Sequence, residues 1–242
     1  MRGAAAVAAA CLLVAGASGL ALERATSGAG RPAAAASVPL GGFEPVAVDL
    51  FYFRATTLLS EQRLPEALAA IRVVTELQPR VAEGWALLGF LLAWRNSATS
   101  GNPEEQWRFA REGLRIIERG IEWNPVSPAL ASVHAELLLM RVVGEEGVRG
   151  VAEREWGRPP EAAARDAFRR LCTLKPSKHA LTGFAEASRL LGERLLAKGD
   201  RTGAAAAFRE ALPIFREIAE DPEAAPARLR AEEIGRRLRD LQ

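Results

Sequence analysis

Histidine is the side chain best placed for proton transfer near neutral pH, and this chain of 242 residues has only His134 and His179. Cys172 precedes His179 by seven residues across Pro176. A thiol–imidazole nucleophile pair is conceivable at that spacing, and a thiol packed near a helix end is the simpler reading. No H-E-x-x-H, C-x-x-C pair or acidic loop of EF-hand spacing occurs, so no metal ligand set is indicated. Gly144, Gly147 and Gly150 resemble a phosphate loop in composition alone, because no Lys-Ser or Lys-Thr follows and no strand pattern precedes them. Glu104-Glu105 and Glu232-Glu233 read as helix surface. An active site would need Glu104, Glu105, His134, Glu145 and Glu146 to converge in a pocket. Arg228, Arg230, Arg236, Arg237 and Arg239 could form a basic helix. Glu232, Glu233 and Asp240 interrupt that charge and no aromatics interleave for base stacking, so a solvated face is expected and no nucleic-acid partner. No catalytic, cofactor-binding or metal residue is assigned.

The chain as a whole supports a packed core. Apolar residues make up 49% and charged residues 26%, with a net charge of +2 that gives no general attraction to polyanions. Cys11 lies in the N-terminal apolar run, which leaves Cys172 as the single thiol of the body and excludes an internal disulfide there.

Residues Ala4 to Leu22 form an uncharged run of 19, preceded by Arg2 and followed by Glu23 and Arg24. This is the pattern of an export signal, with A-x-A cleavage at Ala15-Gly16-Ala17 and a weaker site at Gly19-Leu20-Ala21. The run is also close to the ~20 residues that span a bilayer as a helix, so residues 1–24 are read as a signal peptide or a transmembrane anchor. A lipid anchor through Cys11 is disfavoured by the short apolar stretch ahead of it. Residues 25–42 are Ala, Gly, Ser and Pro with a single Arg31 and read as a flexible linker.

The remainder, 43–242, is periodic. Glu76-Leu77-Gln78-Pro79, Glu122-Trp123-Asn124-Pro125 and Thr173-Leu174-Lys175-Pro176 each close an amphipathic stretch. Proline cannot continue a helix and disfavours it at the preceding residue, so each phrase is a stop signal. A new apolar-periodic stretch follows each one. Helix, turn, helix and proline, repeated, describe a helical solenoid.

These repeats resemble the tetratricopeptide (TPR) family, whose pattern is W-x2-L-G-x2-Y followed by small, aromatic and small positions and a proline. Trp85, Leu88, Gly89 and Leu92 match its opening most clearly, with Gly113, Ile117, Gly120 and Pro125 completing that repeat. Phe51, Ala55, Leu58, Ala67, Ile71, Val74 and Pro79 fit the repeat before it. Ala135, Leu138, Ala164, Phe168, Leu171 and Pro176 fit the one after. A fourth has Leu191, Gly192, Leu195, Ala204, Phe208 and Ala211, turning at Gly199-Asp200. Insertions interrupt the pattern around Arg95 to Gln106 and around Gly144 to Pro160. Ala227, Ala231, Ile234, Leu238 and Leu241 share one face of a terminal capping helix.

The resemblance implies an all-α, right-handed helical-hairpin solenoid with an N-terminal hydrophobic segment. It implies a protein-binding scaffold that is not an enzyme and needs no cofactor. Its register puts Tyr52, Thr56, Glu83, Phe90, Trp94, Glu136 and Met140 along the concave groove that takes a protein or peptide. Asp49, Glu83 and Glu136 stand near the places where some members carry a Lys/Asn carboxylate clamp, so that clamp is absent. The same register sets Gly89 against Gly113 or its neighbours and, by analogy with Ala55 and Ala135, makes Gly89→Ala tolerated or mildly stabilising. With the N-terminal segment, the expectation is a scaffold for an envelope-associated complex. It would be membrane-anchored with its repeats outside the cytoplasm, or secreted or periplasmic if the leader is cleaved. The competing readings are an accessory domain of an enzyme and a self-associating structural protein.

Overall fold

The three proline phrases end helices as their chemistry requires. In the computed structural model, which describes residues 44–96, 101–221 and 224–241, helices end at Leu77, Trp123 and Leu174, two residues before Pro79, Pro125 and Pro176. Ten α-helices account for the described chain: α1 Glu44–Ser60, α2 Leu64–Leu77, α3 Ala82–Leu91, α4 Pro103–Trp123, α5 Pro128–Glu136, α6 Glu146–Trp156, α7 Pro160–Leu174, α8 Lys178–Ala197, α9 Arg201–Ile218 and α10 Ala225–Asp240. No strand occurs among the described residues. The apolar run Ala4–Leu22 and the linker 25–42 lie outside them. No described helix is long and apolar enough to cross a membrane.

The chain divides into two compact units, residues 1–88 and 89–242. In the first, α1 and α2 form a hairpin with Ala55, Leu58, Ala67, Ile71 and Val74 fully buried. Gly84 at the start of α3 sits over Val74 and Thr75 of α2, and the Trp85 indole donates to the Pro79 carbonyl at 2.8 Å.

In the second unit the hairpins are α5 with α7 and α8 with α9, while α4 packs against the chain that continues α3. Short polar side chains start these helices by accepting otherwise orphaned backbone N–H groups. Asn102 caps α4, Ser127 caps α5, Ser177 caps α8 and Asp200 caps α9. The turn into α9 also uses Gly199 at φ +82°, a conformation that favours glycine.

Small residues mark the crossings. A Cβ added at Gly89 would lie 2.8 Å from the Gly113 carbonyl oxygen and would run into Ile117. One added at Gly113 would lie 2.5 Å from the Gly89 carbonyl and 2.6 Å from Ala93 Cβ. The two backbones are in direct contact, so Gly89 does face Gly113. The expected tolerance of alanine there is corrected, because a carbonyl cannot rotate aside as a side chain can. Farther along, Gly183 and Gly192 of α8 seat the rings of Phe168 from α7 and Phe208 from α9. Both rings are almost fully buried, each contributing about 1.5–3 kcal/mol of hydrophobic stabilisation.

Two features depart from the sequence reading. The second insertion folds, as α6, and packs on α4 and on the chain after α5. Its Val148, Val151 and Ala152 carry a helical apolar spacing, and Gly157 at φ +65° ends it. Both helices that precede an insertion also widen: α3 runs into a π-helical turn at Leu92–Asn96 and α5 into one at Leu137–Val143. The capping expectation is met, since Ala227 and Ile234 of α10 join Phe208, Ala211 and Phe215 in one cluster with Ala231, Leu238 and Leu241 at its edge.

Candidate protein-binding surface

Of the seven groove candidates, Tyr52, Thr56 and Glu83 belong to the first unit. Tyr52 is half-buried, and its phenol is pushed above the usual tyrosine range by burial and then by the nearby Glu83 carboxylate. Thr56 is exposed, and its hydroxyl donates back to the Phe53 carbonyl at 2.8 Å, a local bond with little to offer a ligand. Phe53 beside it is 72% exposed, a large apolar side chain that the register did not select.

The other four belong to the second unit. Phe90 and Trp94 stack with ring centroids 5.8 Å apart and planes 10° from parallel, and both rings remain open at 42% and 39%. Met140 is 57% exposed. Trp94 and Met140 both lie in the π-helical turns, which pack against each other. A π turn places one more residue in the turn than an α-helix does, so it re-aims the side chains beyond it. Glu136 is less available than its position suggests: it accepts from the Ser132 hydroxyl at 2.7 Å and approaches the His179 imidazole at 3.1 Å.

His179 thus approaches Glu136, with its ring also edge-on to Phe168. Burial pushes the half-buried Cys172 thiol up, away from the reactive thiolate. The acids that an active site would need to gather are spread over separate partners. Glu104 pairs with Arg154 at 2.7 Å, Glu105 with Arg108 at 3.3 Å and Glu145 with Arg141 at 3.1 Å, while His134 lies 3.6 Å from Glu118. Among the described residues no three His, Cys, Asp or Glu side chains are grouped to hold a metal.

Ala55, Gly89, Ala135 and Gly192 recur as small residues on the first helix of successive hairpins, all buried, and prolines follow three of the second helices. The repeats are TPR-like. No known family profile matches the chain, and no curated protein does. Similar solved structures include a thermophilic TPR protein, TTC0263 of Thermus thermophilus, 16% identical over 80% of this chain and 91% of that one, with a TM-score of 0.43. MamA is 17% identical over 73% of this chain and 82% of its own, with a TM-score of 0.42. Likenesses of this degree carry nothing about function.

Proposed function

We propose that this TPR-like protein is a non-catalytic scaffold and that Phe90, Trp94 and Met140 contact a partner helix or extended peptide. The carrying observation is the stacked Phe90–Trp94 pair, left open to solvent on a segment whose Leu88, Gly89, Leu91 and Ala93 are buried. Aromatic side chains offer large apolar area at small entropic cost and methionine adapts its shape to a partner, which suits both to an interface centre. The partner would lay an apolar face on this patch. We further propose, from the sequence of Ala4–Leu22 and the small-residue spacer at 25–42, that the repeats work outside the cytoplasm in an envelope-associated complex. They would be held by a retained anchor or released by cleavage.

The test is an affinity capture from detergent-solubilised membranes with the full-length chain and its Trp94→Glu/Met140→Glu variant. The expected result is a protein recovered with the parent and lost with the variant, while both melt alike. Recovery of the same proteins by the variant would overturn the assignment of this surface.

A further inference from the structure

A second concave feature lies in the unit 89–242, built by the inserted helix. A cleft of about 520 Å³ opens where α4, α5 and its π-helical continuation, α6 and α7 meet. Its floor is apolar, from Leu114, Leu138, Ala163 and Ala167, and Trp156 stands at one wall, held edge-on against Trp107 at 5.1 Å.

The charges around the rim are unequal in their commitments. Two of the three carboxylates, Glu155 and Asp166, are already engaged by hydrogen bonds. Glu155 accepts from the Trp107 indole at 2.7 Å and from Arg111 at 2.9 Å, and these two bonds hold its carboxyl below the usual range. Asp166 accepts from Arg165 and Arg169, both at 3.1 Å, and Glu118 faces His134 at 3.6 Å. The arginines have capacity left. Arg170 gives one N–H to the Pro125 carbonyl at 2.9 Å, and Arg115 has Glu112 of its own helix at 3.9 Å and lies in the field of the Glu155 carboxylate. Arg158 makes no ion pair or hydrogen bond with any described residue. Its backbone is set by its neighbours, because Gly157 is left-handed and Pro159 restricts the residue before it to extended conformations.

We infer that this cleft binds an acidic peptide segment, with carboxylates at Arg115, Arg158 and Arg170 and an apolar side chain against Trp156 and Leu138. Guanidinium groups with unused donors match carboxylates in a two-pronged geometry that neutral groups cannot supply. Taking the apolar side chain out of water would add to that match. A lipid surface fits less well, because a recessed floor lies out of reach of a flat bilayer. The cleft is lined by α4, α6 and α7 and by His134 and Leu138 of α5 and its continuation, and shares no lining residue with the Phe90, Trp94 and Met140 patch. The two proposals therefore stand or fall separately.

The experiment is fluorescence anisotropy of the full-length chain with a fluorescein-labelled nonapeptide of alternating Glu and Leu, read at physiological ionic strength. Its Lys-for-Glu counterpart serves as the charge control. Expected are saturable binding of the acidic peptide alone, at least ten-fold weakening by Arg158→Glu/Arg170→Glu, and little change for Trp94→Glu/Met140→Glu. Arg209→Glu/Arg236→Glu, two exposed arginines outside the cleft, controls for loss of general positive charge and should bind like the parent. The inference is overturned if the acidic peptide does not bind, or if the cleft variant binds like the parent. It is also overturned if the distant pair weakens binding equally. Phosphatidylglycerol vesicles form the last arm: vesicle binding lost in the cleft variant, without peptide binding, would assign the arginines to a membrane surface and refute a peptide site.

Discussion

Gly89 has a role that can be stated in ångströms. With the Gly113 carbonyl 2.8 Å from where its Cβ would be, any side chain must push two helices apart. Gly89→Leu should destabilise the protein by about 1–3 kcal/mol through overpacking. Gly89→Ala should lower the melting temperature too, although alanine is the better helix former by about 1 kcal/mol. Thermal melts decide this, and an alanine variant that melts at or above the parent would show that the crossing can open without cost. Glu161, 1% exposed at the start of α7, presents a different problem. Burial pushes its carboxyl above the ordinary carboxylate range, and Arg149 at 3.9 Å offsets this only in part. The folded chain therefore holds that proton more tightly than the unfolded chain. The contribution is fully stabilising at pH below the unfolded value and is lost as pH rises through the folded one. Glu161→Gln should melt higher than the parent at neutral pH, and the gap should close on acidification. A gap that does not change between pH 7 and pH 4 would remove burial of the charge as its cause.

At the scale of elements, the helix starts are local and the helix widenings are not. Asp200 accepts from the Gly203 N–H at 2.8 Å, and Asp200→Ala should cost about 0.5–2 kcal/mol, measurable by urea denaturation. An unchanged midpoint would mean that packing of α9, not its cap, sets where it begins. The π-helical turns at Leu92–Asn96 and Leu137–Val143 obey no comparable local rule. They occur in the two first helices that run on toward insertions, and each sits on a close contact. Ala93 packs over Gly113, and the Gly144 N–H reaches back to the Leu139 carbonyl at 3.0 Å. The same turns hold Trp94 and Met140, so the proposed binding surface owes its geometry to irregularity in the elements that carry it.

For the molecule as a whole, α10 completes the core of the unit 89–242. It covers Phe208, Ala211 and Phe215 with Ala227 and Ile234, and Arg230 lies over the Phe215 ring at 5.9 Å. A terminal repeat without such a cover leaves apolar surface in water. Truncation before Ala225 should therefore lower the melting temperature and produce binding of a hydrophobic dye such as ANS. A truncated chain that stays dye-silent and melts like the parent would mean that α10 is an appendage. The recurring register of the repeats and the open aromatic pair support the proposed role in holding a partner.

Much of this was legible in the residues themselves. The stops at Pro79, Pro125 and Pro176, the small positions at Ala55, Gly89, Ala135 and Gly192, and the apolar face of α10 are local or periodic signals. They act through backbone sterics and helical spacing that need no tertiary context. The segment 144–160 was legible only as an interruption, since its helix is stabilised by packing on α4. The Gly89–Gly113 contact was visible as a pairing, but its tightness depends on how near two backbones come. Which side of Trp94 and Met140 faces water depended on the π turns, where one extra residue shifts the register. The cleft with Arg115, Arg158 and Arg170 could not be read from the sequence at all. Those arginines come from α4, from the link after α6 and from α7, and only the packing of the helices around them leaves donors unused while Glu155 and Asp166 are paired.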